Sequence, residues 1–256
     1  MVQNDYSRRK YRIFYQASDL IYFQIKLKET DLAIGVDRES FNDGLVELAE
    51  RTVIKLRGDL ESYIILSPEF RTSFAPVPAL PGAPPVAMSM IRAAAVAGVG
   101  PMAAVAGAIA EAVGKELESR VREVVVENGG DIYLSGKHDR IIGIFAGESP
   151  FSNRIGLKVG GAEMPVGVCT SSATVGPSVS LGRADAAVIK AKSAALADAV
   201  ATGAGNLVQG ESDLVKALEY AKGIDGVLGV IVIKKDKLAA WGEMEIIPLS
   251  KQANRR

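Results

Sequence analysis

Between Val124 and Gly136 the chain passes from three consecutive valines through Asn128-Gly129-Gly130-Asp131 into Ile132-Tyr133-Leu134. Asn-Gly between two apolar runs is the strongest short hairpin signal, because both residues tolerate the positive φ that matches the twist of paired strands. The middle of the chain is thereby committed to antiparallel pairing. The same turn sets one carboxylate, Asp131, beside backbone that lacks Cβ atoms, so a ligand can approach closely. Ribose hydroxyls or an amino group would suit that carboxylate. The residues therefore support two readings, a plain hairpin turn and a nucleotide-binding turn.

Elements of both kinds flank this hairpin. Phe23, Ile25 and Leu27 alternate with Gln24, Lys26 and Lys28, and Glu29-Thr30-Asp31 then leads into Leu32, Ile34 and Val36. That pattern predicts an antiparallel hairpin over 22–36. Over 41–62, Leu45, Leu48, Ala49, Ile54 and Leu56 fall near helical spacing with Ser40 or Asn42 as N-cap. Tyr63-Ile64-Ile65-Leu66 reads as a buried strand. Pro76, Pro78, Pro81, Pro84 and Pro85 exclude regular helix or central strand, so about 71–86 should be an extended loop placed to cover a cleft. Two apolar helices follow, divided at Gly98-Val99-Gly100-Pro101, where glycine ends one and proline begins the next. The second, over 101–119, is almost uncharged before Glu111 and must be central, and its N-terminus is a candidate phosphate site. Further strands are expected at 124–127, 132–134, 140–145, 155–159 and 166–169. Helices are expected around 184–200 and 212–221, and a closing strand pair at 227–234 and 238–247. The fold class is α+β: one domain over residues 1–256, with helices packed on a large, mostly antiparallel sheet.

Composition removes several functions. Lys+Arg and Asp+Glu are equal at 30 each, so no global field attracts nucleic acid or an anionic membrane. A single cysteine, Cys169, excludes an internal disulfide framework and fits a reducing compartment. No apolar leader opens the chain, and the apolar stretch over 86–112 is broken by Arg92, Gly98, Gly100 and Pro101; a cytoplasmic protein without a membrane span is expected. No zinc spacing, Rossmann fingerprint or P-loop occurs. Cys169 is a weak nucleophile candidate, because the only histidine, His138, sits in a charged turn that reads as surface.

A second stretch, from Ser193 to Asn206, is dominated by small residues. In a helix Asp198 and Thr202 lie four apart on one face, and a carboxylate with a hydroxyl one turn away forms half of a hard-cation site. The alternative is a packing face with Asp198 at its solvated edge. Taken together and in this order, the two stretches resemble the ApbE-like superfamily, whose best-known members are FAD:protein FMN transferases. Asn128-Gly129-Gly130-Asp131 is similar to the superfamily's flavin-binding turn, Asp198 through Thr202 to its magnesium signature, and Val168-Cys169-Thr170-Ser171-Ser172 to its short Thr-Ser segment. Glu29-Thr30-Asp31-Leu32 and Gly100-Pro101-Met102-Ala103-Ala104-Val105-Ala106-Gly107 resemble one branch of that superfamily along nearly the whole chain. Resemblance to the transferases proper is confined to the region after about Glu123. The resemblance implies an ApbE-like, T-fold-like architecture. It implies FAD held by Asn128, Gly129, Gly130, Asp131, Thr170 and Ser171, Mg²⁺ on Asp198 and Thr202, and FMN passed from FAD to a protein acceptor. The transferases carry a Ser-His-Ile turn where this chain reads Gly176 to Asp185 without histidine. A non-catalytic nucleotide-binding or assembly protein is therefore the alternative, and a homo-oligomer is a candidate partner arrangement under either reading.

Overall fold

The computed structural model describes residues 17–173 and 180–249. The 124–136 segment forms the expected hairpin, β3 (Val124–Asn128) and β4 (Asp131–Ser135), with Val126 opposite Tyr133 and Asn128 opposite Asp131. Before it, β1 (Leu20–Leu27) pairs with β2 (Thr30–Asp37). After it come β5 (Arg140–Gly143), β6 (Ile155–Val159), β7 (Val166–Ser171), β8 (Ala186–Ala191), β9 (Val227–Lys234), β10 (Lys237–Gly242) and β11 (Glu245–Pro248). An eight-stranded sheet has the order β1-β2-β3-β4-β7-β8-β9-β10, and a three-stranded sheet the order β11-β6-β5. Every pairing in both is antiparallel. The helices are α1 (Asp43–Leu66), α2 (Glu69–Thr72), α3 (Pro85–Ala97), α4 (Val105–Glu118), α5 (Ala194–Leu207) and α6 (Leu214–Lys222).

Strand alternation separates two cores. Tyr133, Cys169 and Ile189 point to the helix side and pack with Val113, Ala197 and Val200. Leu134, Val168 and Val188 point the other way and meet Leu157 and Val159 of the small sheet. The α+β expectation is met, as three layers with the eight-stranded sheet in the middle.

Three sequence expectations need correction. Tyr63-Ile64-Ile65-Leu66 is the last turn of α1, not a strand. Tyr63 continues the buried stripe of Val53 and Leu60, while Ile65 and Leu66 are 78% and 73% exposed; a strand preference yields to the helix already running. Second, residues 186–191 form β8 rather than a helix. This strand is covered on both faces, so its apolar run lacks the alternation that identifies a half-buried strand. Third, residues 238–247 divide, β10 closing the large sheet and β11 joining the small one. The proline segment is irregular over 73–84 and Pro85 opens α3. Asn42 occupies the N-cap of α1 without a side-chain cap bond. Among the described residues no single helix is long and apolar enough to cross a membrane, and Pro85–Ala97 with Pro101–Glu118 bends by 106°.

Candidate functional site

Two glycines shape the tip of the β3–β4 hairpin. Gly129 has φ 72° and Gly130 φ 108°, a region that side chains with a Cβ enter only under strain. Glu127 adds a restraint, its Oε1 accepting the Gly130 N–H at 2.8 Å. That donor is used within the turn. The Asn128 Nδ2–H donates to the Ala106 carbonyl at 3.2 Å and ties the turn to the start of α4. Gly130→Val is expected to lower stability by about 1–3 kcal/mol, the usual cost of a β-branched residue at positive φ. Thermal denaturation checks this, and a variant melting with the parent would show that the turn does not need that conformation.

The pleat then sorts the strand residues. Asp131 shares the helix-side face with Tyr133, and the register that sets Ile132 opposite Val168 sets Asp131 opposite Cys169. Ser171 is on the same face, its Oγ 3.5 Å from where a Cβ on Gly205 of α5 would stand. Thr170 pairs with Val188, whose side chain lies in the core between the sheets. Thr170 therefore points away from the other predicted residues, because consecutive strand residues face opposite sides.

α5 starts where Ser193 accepts the Leu196 N–H at 3.4 Å. Its small residues allow contact of backbone with backbone: a Cβ on Gly107 of α4 would stand 2.2 Å from the Ala194 carbonyl oxygen. Asp198 profits from that approach, its Oδ2 accepting the Gly107 N–H at 2.9 Å. Ala104, at the N-cap of α4, has no capping side chain, and Asp198 supplies the missing carboxylate from the neighbouring helix. Thr202 lies one turn beyond, and both residues are half-buried.

Asp131 is 8% exposed and its charge reaches Asp198. Burial first, then Asp131, push the Asp198 carboxyl well above the usual carboxylate range, against the opposing N–H groups of Gly107 and Ala106. Burial, followed by the two carboxylates, likewise pushes up the Cys169 thiol, which donates to the Ala194 carbonyl at 3.3 Å. A buried neutral thiol is inert as a nucleophile. The side-chain donors gathered here are oxygens, two carboxylates and a hydroxyl. That set fits a hard cation such as Mg²⁺, which takes few protein oxygens and fills its shell with phosphate and water. Among the described residues no group of three His, Cys, Asp or Glu side chains is arranged to hold a metal alone.

Residues 12–231 match the family described as AbpE bacteria. The chain belongs to that family. A UPF0280 protein of Methanocaldococcus jannaschii is 42% identical over 235 residues, covering 90% of this chain and 94% of the relative. A UPF0280 protein of Methanococcus aeolicus is 40% identical over 230 residues, covering 88% and 91%. Among solved structures, the flavin transferase ApbE from Vibrio cholerae superposes with a TM-score of 0.60 at 15% identity, covering 87% of this chain and 96% of that one. This last likeness shows the fold.

In this AbpE-family chain His138 lies beyond the far end of β4, whose own length from Asp131 to Ser135 is about 14 Å at the usual rise. Its Nδ1 is 2.8 Å from Glu123 Oε1, and Glu123 also pairs with Arg140. The histidine-free stretch from Gly176 falls in part outside the described residues; Asp185, at its end, is buried and accepts from Lys234 Nζ and the Lys235 N–H. Sequence reasoning names Gly107 only within a segment of family resemblance and Glu111 only as the first charge on its helix. The signal for Glu111 was present, since a carboxylate in an otherwise apolar central helix requires buried partners.

Proposed function

We propose that this protein binds a flavin nucleotide, FAD, between the β3–β4 turn and α5, with Mg²⁺ held by Asp198 and Thr202, and that it passes FMN to a protein acceptor. The observation that carries the reading is the convergence of Asp131 and Asp198, from a turn and a helix far apart in sequence, beside the first turn of α4. The fold shared with a flavin transferase supports it. Asp131 is the acceptor for ribose hydroxyls or an amino group, Ser171 offers a hydroxyl on the same face, and Asp198, giving up its proton as the cation binds, presents with Thr202 an anionic and a neutral oxygen. Mg²⁺, when bound, supplies charge neutralisation at a pyrophosphate. A cytoplasmic site of action is part of the proposal, supported by the single buried cysteine.

Asp131→Ala should leave the fold intact and weaken FAD binding about tenfold or more, the effect of losing hydrogen bonds to a charged group. Unchanged affinity in a folded variant would return the motif to an ordinary hairpin turn. A second reading, a nucleotide-binding or assembly protein without transferase chemistry, is favoured by one observation. Asp198 is already engaged as the cap of α4. Titration of metal-free protein with FAD, with and without Mg²⁺, read by flavin fluorescence and followed by assay for released AMP, separates the two. Binding tightened by Mg²⁺ with AMP release supports the transferase; binding indifferent to Mg²⁺ without AMP supports the second reading.

A further inference from the structure

Glu111 sits in the helix layer with only 7% exposure, yet its carboxylate is fully engaged. Oε1 pairs with Lys115 Nζ at 2.5 Å. Oε2 accepts from the Ser193 hydroxyl at 2.7 Å, from the Ala194 N–H at 2.7 Å and from the Ala195 N–H at 3.3 Å. Burial opposes its ionisation, but the bonds from Lys115 and Ser193 outweigh that and hold the carboxyl below its usual range. The arrangement is reciprocal. Glu111 of α4 receives the first N–H groups of α5, while Asp198 of α5 receives an N–H from the first turn of α4.

Ala194 is where the restraints meet. Its N–H goes to Glu111 and its carbonyl accepts from Cys169. A Cβ on Gly167 of β7 would stand 2.3 Å from its Cα. The first turn of α5 is thus pressed onto β7 and α4 at once, and Asp198 follows one turn later. Sterics from Gly107 and Gly167 limit how close α5 comes, but they do not pull it in. In the first turn of α5, before Asp198 is reached, the attractive and directional contacts to α4 and β7 are the Glu111 bonds and the weaker Cys169 bond.

We propose that Glu111 is the positioning residue of this site: by gripping Ser193, Ala194 and Ala195 it sets the place from which Asp198 faces Gly107 and Asp131. The inference rests on the reading of Asp198 and Thr202 as cation donors, but its first test needs no cation. In ligand-free protein, Glu111→Gln keeps one acceptor oxygen and loses the charge. Hydrogen exchange of the Gly107 amide should then speed up about tenfold, while amides of β8 and β9 keep their protection. Glu111→Ala should do more, and Lys115→Met, which leaves the Oε2 bonds in place, should do little. The second readout is FAD titration with Mg²⁺. Glu111→Gln should reduce the Mg²⁺ enhancement about fivefold or more while metal-free FAD affinity stays at the parent's value.

Uniform loss of protection across both cores would make Glu111 a plain helix cap and overturn the proposal. So would parental exchange at Gly107 in folded Glu111→Gln. If neither Glu111 variant folds, Ser193→Ala removes one of the gripped groups; its Gly107 exchange must rise, and parental exchange there also overturns the inference. A parent indifferent to Mg²⁺ sinks the cation reading alone, and the exchange result still decides the role of Glu111.

Discussion

Gly107→Ala is expected to lower the melting temperature by about 3–10 °C, although the same change in an exposed helix raises stability. Helix propensity alone favours alanine by about 1 kcal/mol. Against it, the added Cβ would stand 2.2 Å from the Ala194 oxygen, 2.7 Å from the Ala194 carbonyl carbon and 2.9 Å from the Asp198 Cβ. The first two are backbone atoms, so relief requires moving α5 itself. Overpacking of this kind costs about 1–3 kcal/mol, and more where backbone must shift. Packing therefore decides the sign. Calorimetric melting measures it, and a variant melting at or above the parent would refute the close approach of α4 and α5.

The hairpins were legible because their information is local. Asn128-Gly129-Gly130 demanded positive φ, and the alternation over 22–36 demanded a half-buried strand pair; both are realised. β8 was illegible for the opposite reason. Covered on both faces, Ala186–Ala191 carries no period, and its alanines suit a helix as well as a central strand. Tyr63-Ile64-Ile65-Leu66 misleads because a short apolar run fits a buried strand and a helix end equally, and Tyr63 completes a helical stripe with Leu60.

For the candidate site the same distinction holds. Asp131 and Asp198 were each marked in the sequence, the first by its turn and the second by its spacing to Thr202. Their proximity depends on β4 and β7 pairing under α5, a long-range fact that no window contains. Thr170 and Ser171 stand side by side in the sequence, and only the pleat separates them. Glu111 was visible as an isolated charge, but the α5 groups it grips lie more than eighty residues away.

Asp198→Asn should abolish the Mg²⁺ enhancement of FAD binding and leave metal-free binding near the parent's value, because the amide keeps the size and loses the charge a hard cation requires. Its effect on stability carries a sign that separates the readings further. Asp198 has a raised carboxyl pKa in the folded protein, caused by burial and then by Asp131. The folded state thus keeps a proton that the unfolded chain releases. Stability from this group is complete below the unfolded carboxylate value and is lost as pH rises through the folded one. Asparagine does not titrate, so the parent should lose stability relative to the variant as pH climbs out of the ordinary carboxylate range. One opposing effect is the Gly107 N–H, which in the variant meets an amide oxygen instead of a carboxylate; that loss is greatest where Asp198 is ionised. Burial and the Asp131 charge outweigh that bond in the direction of the shift, so the variant should hold the advantage at alkaline pH. Denaturant unfolding across pH, with FAD titration alongside, tests both halves. A parent that gains on the variant with rising pH, together with a variant that keeps the Mg²⁺ dependence, would leave Asp198 as the cap of α4 and remove the cation from the site.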